Sequence, residues 1–281
     1  MAGYANDVLV ETDWLAQHGK DPGVRVFEVD VDTSAYDQGH VSGAIGLNWK
    51  TDLQQHPVRD LIDKKQLETL LSKSGVTPGT TVVAYGDNNN WFAAWFFWLL
   101  KYYGHKDAKL VNGGRAKWIA EGRPLTTEPA THPRAEYRAS GPDVSIRALR
   151  DHMLDKVVSG GAKIVDVRSP KEYSGELLAP ENLPQEGAQR GGHIPGAQNV
   201  PWATAVAEDG RFKSADELRT IYGAKGVDVK SETVAYCRIG ERSAHTWFVL
   251  KYLLGHDRVR NYDGSWTEWG SMVGVPIEKS A

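Results

Sequence analysis

The sequence predicts two tandem α/β domains, each an open parallel sheet flanked by helices, over residues 1–124 and 143–281 with a linker at 125–142. Three observations lead there. Short apolar runs alternate with helical stretches in each half, the chain resembles itself across the halves, and a proline-rich polar stretch separates them.

The runs Arg25–Val29, Thr81–Tyr85, Lys163–Val167 and Thr233–Tyr236 are short, apolar and rich in β-branched residues. They read as buried parallel strands. Ser145–Val158 and Ser243–Leu254 have helical spacing, and the second stops at Gly255, a suitable residue to follow a helix C-cap. Strands separated by helices require crossover connections and hence a parallel sheet in each half. At 281 residues, 41% of them apolar, the chain can fill two cores of ordinary size. The ten tryptophans include the cluster Trp95-Phe-Phe-Trp98, which reads as core packing rather than a stacking surface.

The internal repeat aligns Val83-Ala-Tyr-Gly86 with Val234-Ala-Tyr-Cys237, Gly113 with Gly264 and Trp118 with Trp269, without a gap. Upstream, Glu28-Val-Asp30 corresponds to Val165-Asp166, acid to acid at its end, and Gly39–Ala44 to Gly192–Ala197. The second half therefore holds an insertion, placed as an exposed loop at Leu177–Gly191. Pro124–Pro142 carries four prolines and reads as an extended linker. The first half has Gly86 where the second has the chain's one cysteine.

A net charge of −3 gives no general attraction to nucleic acid or to an anionic membrane. The apolar run Trp91–Leu100 is about half of a membrane span, and Met1–Asp7 does not read as a secretory signal. The expected protein is soluble and cytoplasmic, with no nucleic-acid or membrane partner. One cysteine excludes an internal disulfide and a thiolate-rich metal cluster, so no metal or other cofactor is expected.

Cys237 opens Cys-Arg-Ile-Gly-Glu-Arg-Ser243, a loop that leaves a strand and enters a helix. Ligands of open α/β sheets bind at such places. Inward backbone N–H groups and the positive helix end favour an anion there and are expected to lower the Cys237 pKa. Arg238 and Arg242 add permanent charge and planar donor forks suited to oxyanions, and Gly240 leaves room for a ligand. Cys237 is the candidate nucleophile, and Arg238, Ile239, Gly240, Glu241, Arg242 and Ser243 form the candidate substrate site.

The chain as a whole resembles the tandem-domain rhodaneses, the thiosulfate sulfurtransferases. The residues that carry the resemblance are Gly192-His-Ile-Pro-Gly-Ala197, the Cys237–Ser243 loop and Asn261-Tyr-Asp-Gly-Ser-Trp266. The resemblance implies two tandem rhodanese-like domains, the first catalytically silent. It also implies a ping-pong cycle in which Cys237 takes the outer sulfur of thiosulfate and passes it to cyanide or a thiol acceptor, with no general base.

Two positions depart from the vertebrate-type enzymes. A basic residue is expected four places after Arg168, where this chain has Glu172, and Glu241 replaces an apolar residue in the loop. Both acids are expected to face solvent or to pair with Arg168, Arg238 or Arg242. Asp166 and Arg168 read either as an orienting pair for the loop or as a structural strand-end pair. His193, matched by His40 in the other half, reads as a turn-stabilising residue, and Arg190 as part of a mobile surface loop. A 3-mercaptopyruvate enzyme is the alternative on substrate, although Arg238 after the cysteine favours thiosulfate. The further alternatives are a cysteine phosphatase or arsenate reductase, whose loop is one residue longer than Cys-x4-Arg, and a non-enzymatic binding module.

Overall fold

Runs of Val, Ile, Phe and Tyr with no polar alternation are stable only when both faces of a strand are covered. In the computed structural model of the chain, which describes residues 3–180 and 187–279, they form the centres of two five-stranded parallel sheets. In the first half the strands are β1 (Leu9–Val10), β2 (Val24–Asp30), β3 (Ile45–Asn48), β6 (Thr81–Tyr85) and β7 (Ala108–Val111), in the order β1-β7-β6-β2-β3. A small antiparallel pair, β4 (Gln54–Gln55) and β5 (Asp60–Leu61), lies outside that sheet.

The second half uses β8 (Arg147–Ala148), β9 (Lys163–Asp166), β10 (Gln198–Asn199), β11 (Thr233–Tyr236) and β12 (Val259–Tyr262), ordered β10-β9-β11-β12-β8. Read from the other edge, this is the order of the first sheet, so the duplication inferred from sequence is a duplication of topology. The central strands β6 and β11 are followed at once by Gly86 and Cys237 respectively.

The register corrects one sequence correspondence. Glu28 pairs with Tyr85 and Asp166 with Tyr236, so Glu28, not Asp30, is the counterpart of Asp166. Asp30 then stands where the second half has Arg168.

The chain folds into two compact units. One runs from Asp7 to Asp143 and includes Val206–Phe212; the other holds Val144–Ala205, Lys213 onward and the residues up to Asn6. The linker lacks helix or strand over 128–143 but is anchored throughout within the first unit. Thr126 exchanges backbone hydrogen bonds with His40, Ala135 N–H donates to Ser72 O, and the Tyr137 side chain is buried.

The expected helix Ser145–Val158 begins late. Val144–Ile146 is a 3-10 turn, Arg147–Ala148 pairs with β12 as an edge strand, and the helix covers Arg150–Ser159. Local spacing did not show that Asn261 and Tyr262 would recruit two residues to the sheet. The Trp95–Trp98 cluster is fully buried in the helix Asp87–Tyr102. No helix among the described residues is long and apolar enough to cross a membrane.

Candidate active site

β11 delivers Cys237 to the carboxyl end of its sheet, and the chain turns at once into the helix Glu241–Phe248. The turn requires Gly240, whose φ is +93° and where a Cβ would lie 2.5 Å from the Asp263 Cα. Segment 261–267 pins the loop from the side. Ser265 Oγ accepts the Cys237 N–H at 3.0 Å and donates to Tyr262 O, and Trp266 and Thr267 donate backbone N–H bonds to the carbonyls of Cys237 and Arg238. Asn261 Nδ2 donates to Gly240 O at 2.9 Å, while its Oδ1 accepts Ser243 Oγ–H at 2.6 Å.

The side chains of Cys237, Arg238, Glu241, Arg242 and Ser243 are all buried. Gly240 N–H donates to Sγ at 3.2 Å, which supports a thiolate as the loop argument expects. Glu241 works against it. Its side chain turns inward, and Oε2 accepts the Sγ–H at 3.1 Å and the Ile239 N–H at 3.2 Å. Burial pushes the Cys237 thiol pKa up, the Glu241 charge pushes it further, and Arg242 offsets only part. The expected lowering of the pKa is therefore overturned. The arginines and N–H groups are present, but burial of the thiol and then the Glu241 carboxylate beside it outweigh them.

Neither departing acid faces solvent. Glu172, placed by the capping box that Ser169 makes at the helix Pro170–Ser174, holds Arg242 in two hydrogen bonds of 2.9 Å each. Burial alone raises a carboxyl pKa, but this fork and its charge hold Glu172 down to about 2. Glu241 Oε1 lies 3.6 Å from Arg238 Nη2 and 3.8 Å from Arg242 Nε. Two arginines thus meet two carboxylates in the loop's surroundings, and Arg242 is not the open anion clamp that its sequence position suggests.

Asp166 and Arg168 form a fully buried bidentate pair, with Arg168 Nη2 also donating to Gly192 O at 2.7 Å. Tyr236 donates to Asp166 at 2.6 Å and accepts the Ile194 N–H, and the Arg168 guanidinium lies 4.5 Å from the Trp266 ring centroid. The half without a cysteine repeats this design. Tyr85 bonds Glu28 and accepts the Val41 N–H, and Glu28 pairs with Arg115, whose Nη2 donates to Gly39 O. Arg115 aligns with Trp266, so the cation enters from a different element and reaches the same place. The cysteine-free half carries the same network at its strand end, and in the second half Tyr236 and Trp266 join it to the Cys237 loop.

His193 and His40 are equally matched. Each stacks on a tyrosine, Tyr173 at 3.7 Å and Tyr36 at 3.8 Å, and each Nδ1 lies 2.9 Å from that tyrosine's carbonyl oxygen. Both are turn residues. Arg190 is fixed rather than mobile, since its guanidinium donates to the carbonyls of Trp269, Gly270, Met272 and Val275, at and after the end of the helix Ser265–Trp269. Residues 181–186 of the proposed exposed loop lie outside the described residues. Sequence reasoning gave no role to Ser265 or Asn261, although both stand in a quoted motif; of the partners it offered Glu172, the structure has Arg242.

In the half with Gly86, Asp30 replaces Arg168 and accepts the Asp87 N–H at 2.9 Å. Burial and the neighbouring Asp87 charge push the Asp30 carboxyl up to about 8. Asn88, Asn89 and Asn90 all take left-handed backbone angles, so the backbone path that follows Cys237 is not repeated here. Among the described residues no group of His, Cys, Asp and Glu is arranged to hold a metal ion.

The Rhodanese-like domain model matches the chain twice, over residues 11–121 and 148–272. A protein of Saccharopolyspora erythraea named "putative thiosulfate sulfurtransferase" is 57% identical over 272 residues, covering 97% of this chain and 96% of its own. A sulfur carrier protein of Thermus thermophilus is 56% identical over 281 residues, covering 99% of each chain. Among solved structures, the 3-mercaptopyruvate sulfotransferase SseA of Escherichia coli superposes with a TM-score of 0.80 at 26% identity, over 93% of this chain and 99% of its own.

Proposed function

This chain belongs to the rhodanese family of sulfurtransferases, and from that premise we propose that it moves the outer sulfur of thiosulfate to cyanide or a thiol through a persulfide on Cys237. The observation that carries the reading is the placement of the chain's one thiol just past the end of a central strand, with the Gly240 N–H on its sulfur and Glu241, flanked by Arg238 and Arg242, against it. Sγ attacks the outer sulfur, sulfite leaves, and an acceptor then attacks the persulfide.

Arg238, Ile239, Gly240, Glu241, Arg242 and Ser243 form the donor's binding loop. Because Glu172 holds Arg242, Arg238 carries more of the donor's sulfonate in this reading. A charge-assisted contact of that kind is worth about 1.5–3 kcal/mol, roughly ten- to a hundredfold in kcat/KM. Steady-state rates with thiosulfate and with 3-mercaptopyruvate, each with cyanide as acceptor, test the donor. Arg238→Gly should lose that factor on thiosulfate and less on 3-mercaptopyruvate. An equal loss on both, or a wild-type preference for 3-mercaptopyruvate, refutes the choice of donor. One relative is named a sulfur carrier protein, which fits a chain that holds sulfur and hands it on.

A further inference from the structure

We propose that Glu241 is a catalytic residue, taking the proton of the Cys237 thiol as sulfur is accepted and holding it until sulfur departs; this rests on the persulfide reading. The geometry separates its two oxygens. Oε2 faces Sγ at 3.1 Å and is fixed by the Ile239 N–H, whereas Oε1 is turned toward the cations Arg238 and Arg242. The side chain is fully buried, so the proton has a partner within the site.

A carboxylate against a nucleophilic thiol opposes its ionisation, and burial acts in the same direction. Such a thiol reacts readily only if its proton leaves to a neighbour as the new bond forms. In the first half-reaction the Sγ–H bond breaks and the proton goes to Oε2. The Sγ electron pair bonds the outer sulfur of thiosulfate, and the thiosulfate S–S bond breaks with its pair leaving on sulfite. The loop then holds a persulfide anion and a neutral Glu241, one negative charge as before. In the second half-reaction cyanide attacks the outer sulfur, the persulfide S–S bond breaks with its pair returning to Sγ, thiocyanate leaves, and Oε2 returns the proton. No oxidant or reductant enters.

The charged groups around this pair are Arg238 and Arg242 of the same loop and Glu172 bound to Arg242; beyond them lie Arg168, which acts on Glu172 and is held by Asp166, and Asp263, which lies against Gly240 and is held by Arg147. His245, one turn into the helix, is fully buried, and burial pushes its pKa down to about 3, so it stays neutral.

The test compares two pH profiles in wild type, Glu241→Gln and Glu241→Asp: the thiolate fraction from its ultraviolet absorbance, and kcat/KM for thiosulfate. Wild type should stay level across pH values at which the thiol is un-ionised. Glu241→Gln should follow its own thiolate fraction, tenfold per pH unit below the midpoint, and Glu241→Asp should restore the level profile. The proposal is overturned if wild-type kcat/KM tracks its thiolate fraction, or if Glu241→Gln stays level. Thermal unfolding establishes that each variant is folded. Iodoacetamide alkylation of Cys237, read by the same criterion, decides the proton's route even if thiosulfate proves not to be the donor.

Discussion

Each terminal nitrogen of Arg242 lies 2.9 Å from a different oxygen of Glu172, a residue 70 positions earlier in the chain. The second basic residue expected of a vertebrate-type donor site is here an acid, and it takes up the fork of the loop's own arginine. The active loop is thereby locked through a buried pair rather than left open as a cluster of cations.

Glu172→Gln tests that lock. Losing the charge strands a buried guanidinium, although glutamine keeps one acceptor, so the expected loss of stability is about 1.5–3 kcal/mol by urea unfolding at neutral pH. The Glu172 pKa is depressed, so its contribution is complete above the ordinary value of 4.5 and is lost as pH falls toward about 2. The gap between wild type and variant should therefore narrow on acidification over that range. The freed Arg242 should lower KM for thiosulfate. An unchanged stability or a raised KM contradicts this account.

Gly86→Cys, made with Cys237→Ser, should not create a second sulfur-accepting site. Gly86 is extended, and a Cβ there would lie 2.5 Å from Val29 O and 3.0 Å from an Asp30 oxygen. The residues that follow Gly86 are an acid and left-handed asparagines where the other half has Arg238 to Glu241, and the nearby Arg115 is taken up by Glu28 and Asp87. Crowding of this kind costs about 1–3 kcal/mol, read as a lower Tm for the Gly86→Cys single variant. Thiosulfate turnover by the double variant would show that the fold, rather than the loop's residues, makes the site.

The parts legible in the sequence are those set by local chemistry. β-branched runs gave the central strands, and a lone cysteine followed by Arg, Gly and Arg at a strand-to-helix turn marked the site. What was not legible depends on partners distant in the chain. Arg147 and Ala148 become a strand only because β12 lies beside them, and Arg190 is fixed by carbonyls some 80 residues later. The sign of the Cys237 shift depends first on the burial of the thiol and then on the Glu241 side chain, which turns inward against the sulfur, and local spacing shows neither.

The central claim is that Cys237 carries the transferred sulfur, and the mass of the intact protein measures it directly. After incubation with thiosulfate and removal of the excess, wild type should gain the mass of one sulfur atom and lose it on addition of cyanide, with thiocyanate appearing in equal amount. Cys237→Ser should gain nothing and should not turn over. Sulfur loading on the serine variant, or full turnover by wild type with no adduct at any thiosulfate concentration, would contradict the account.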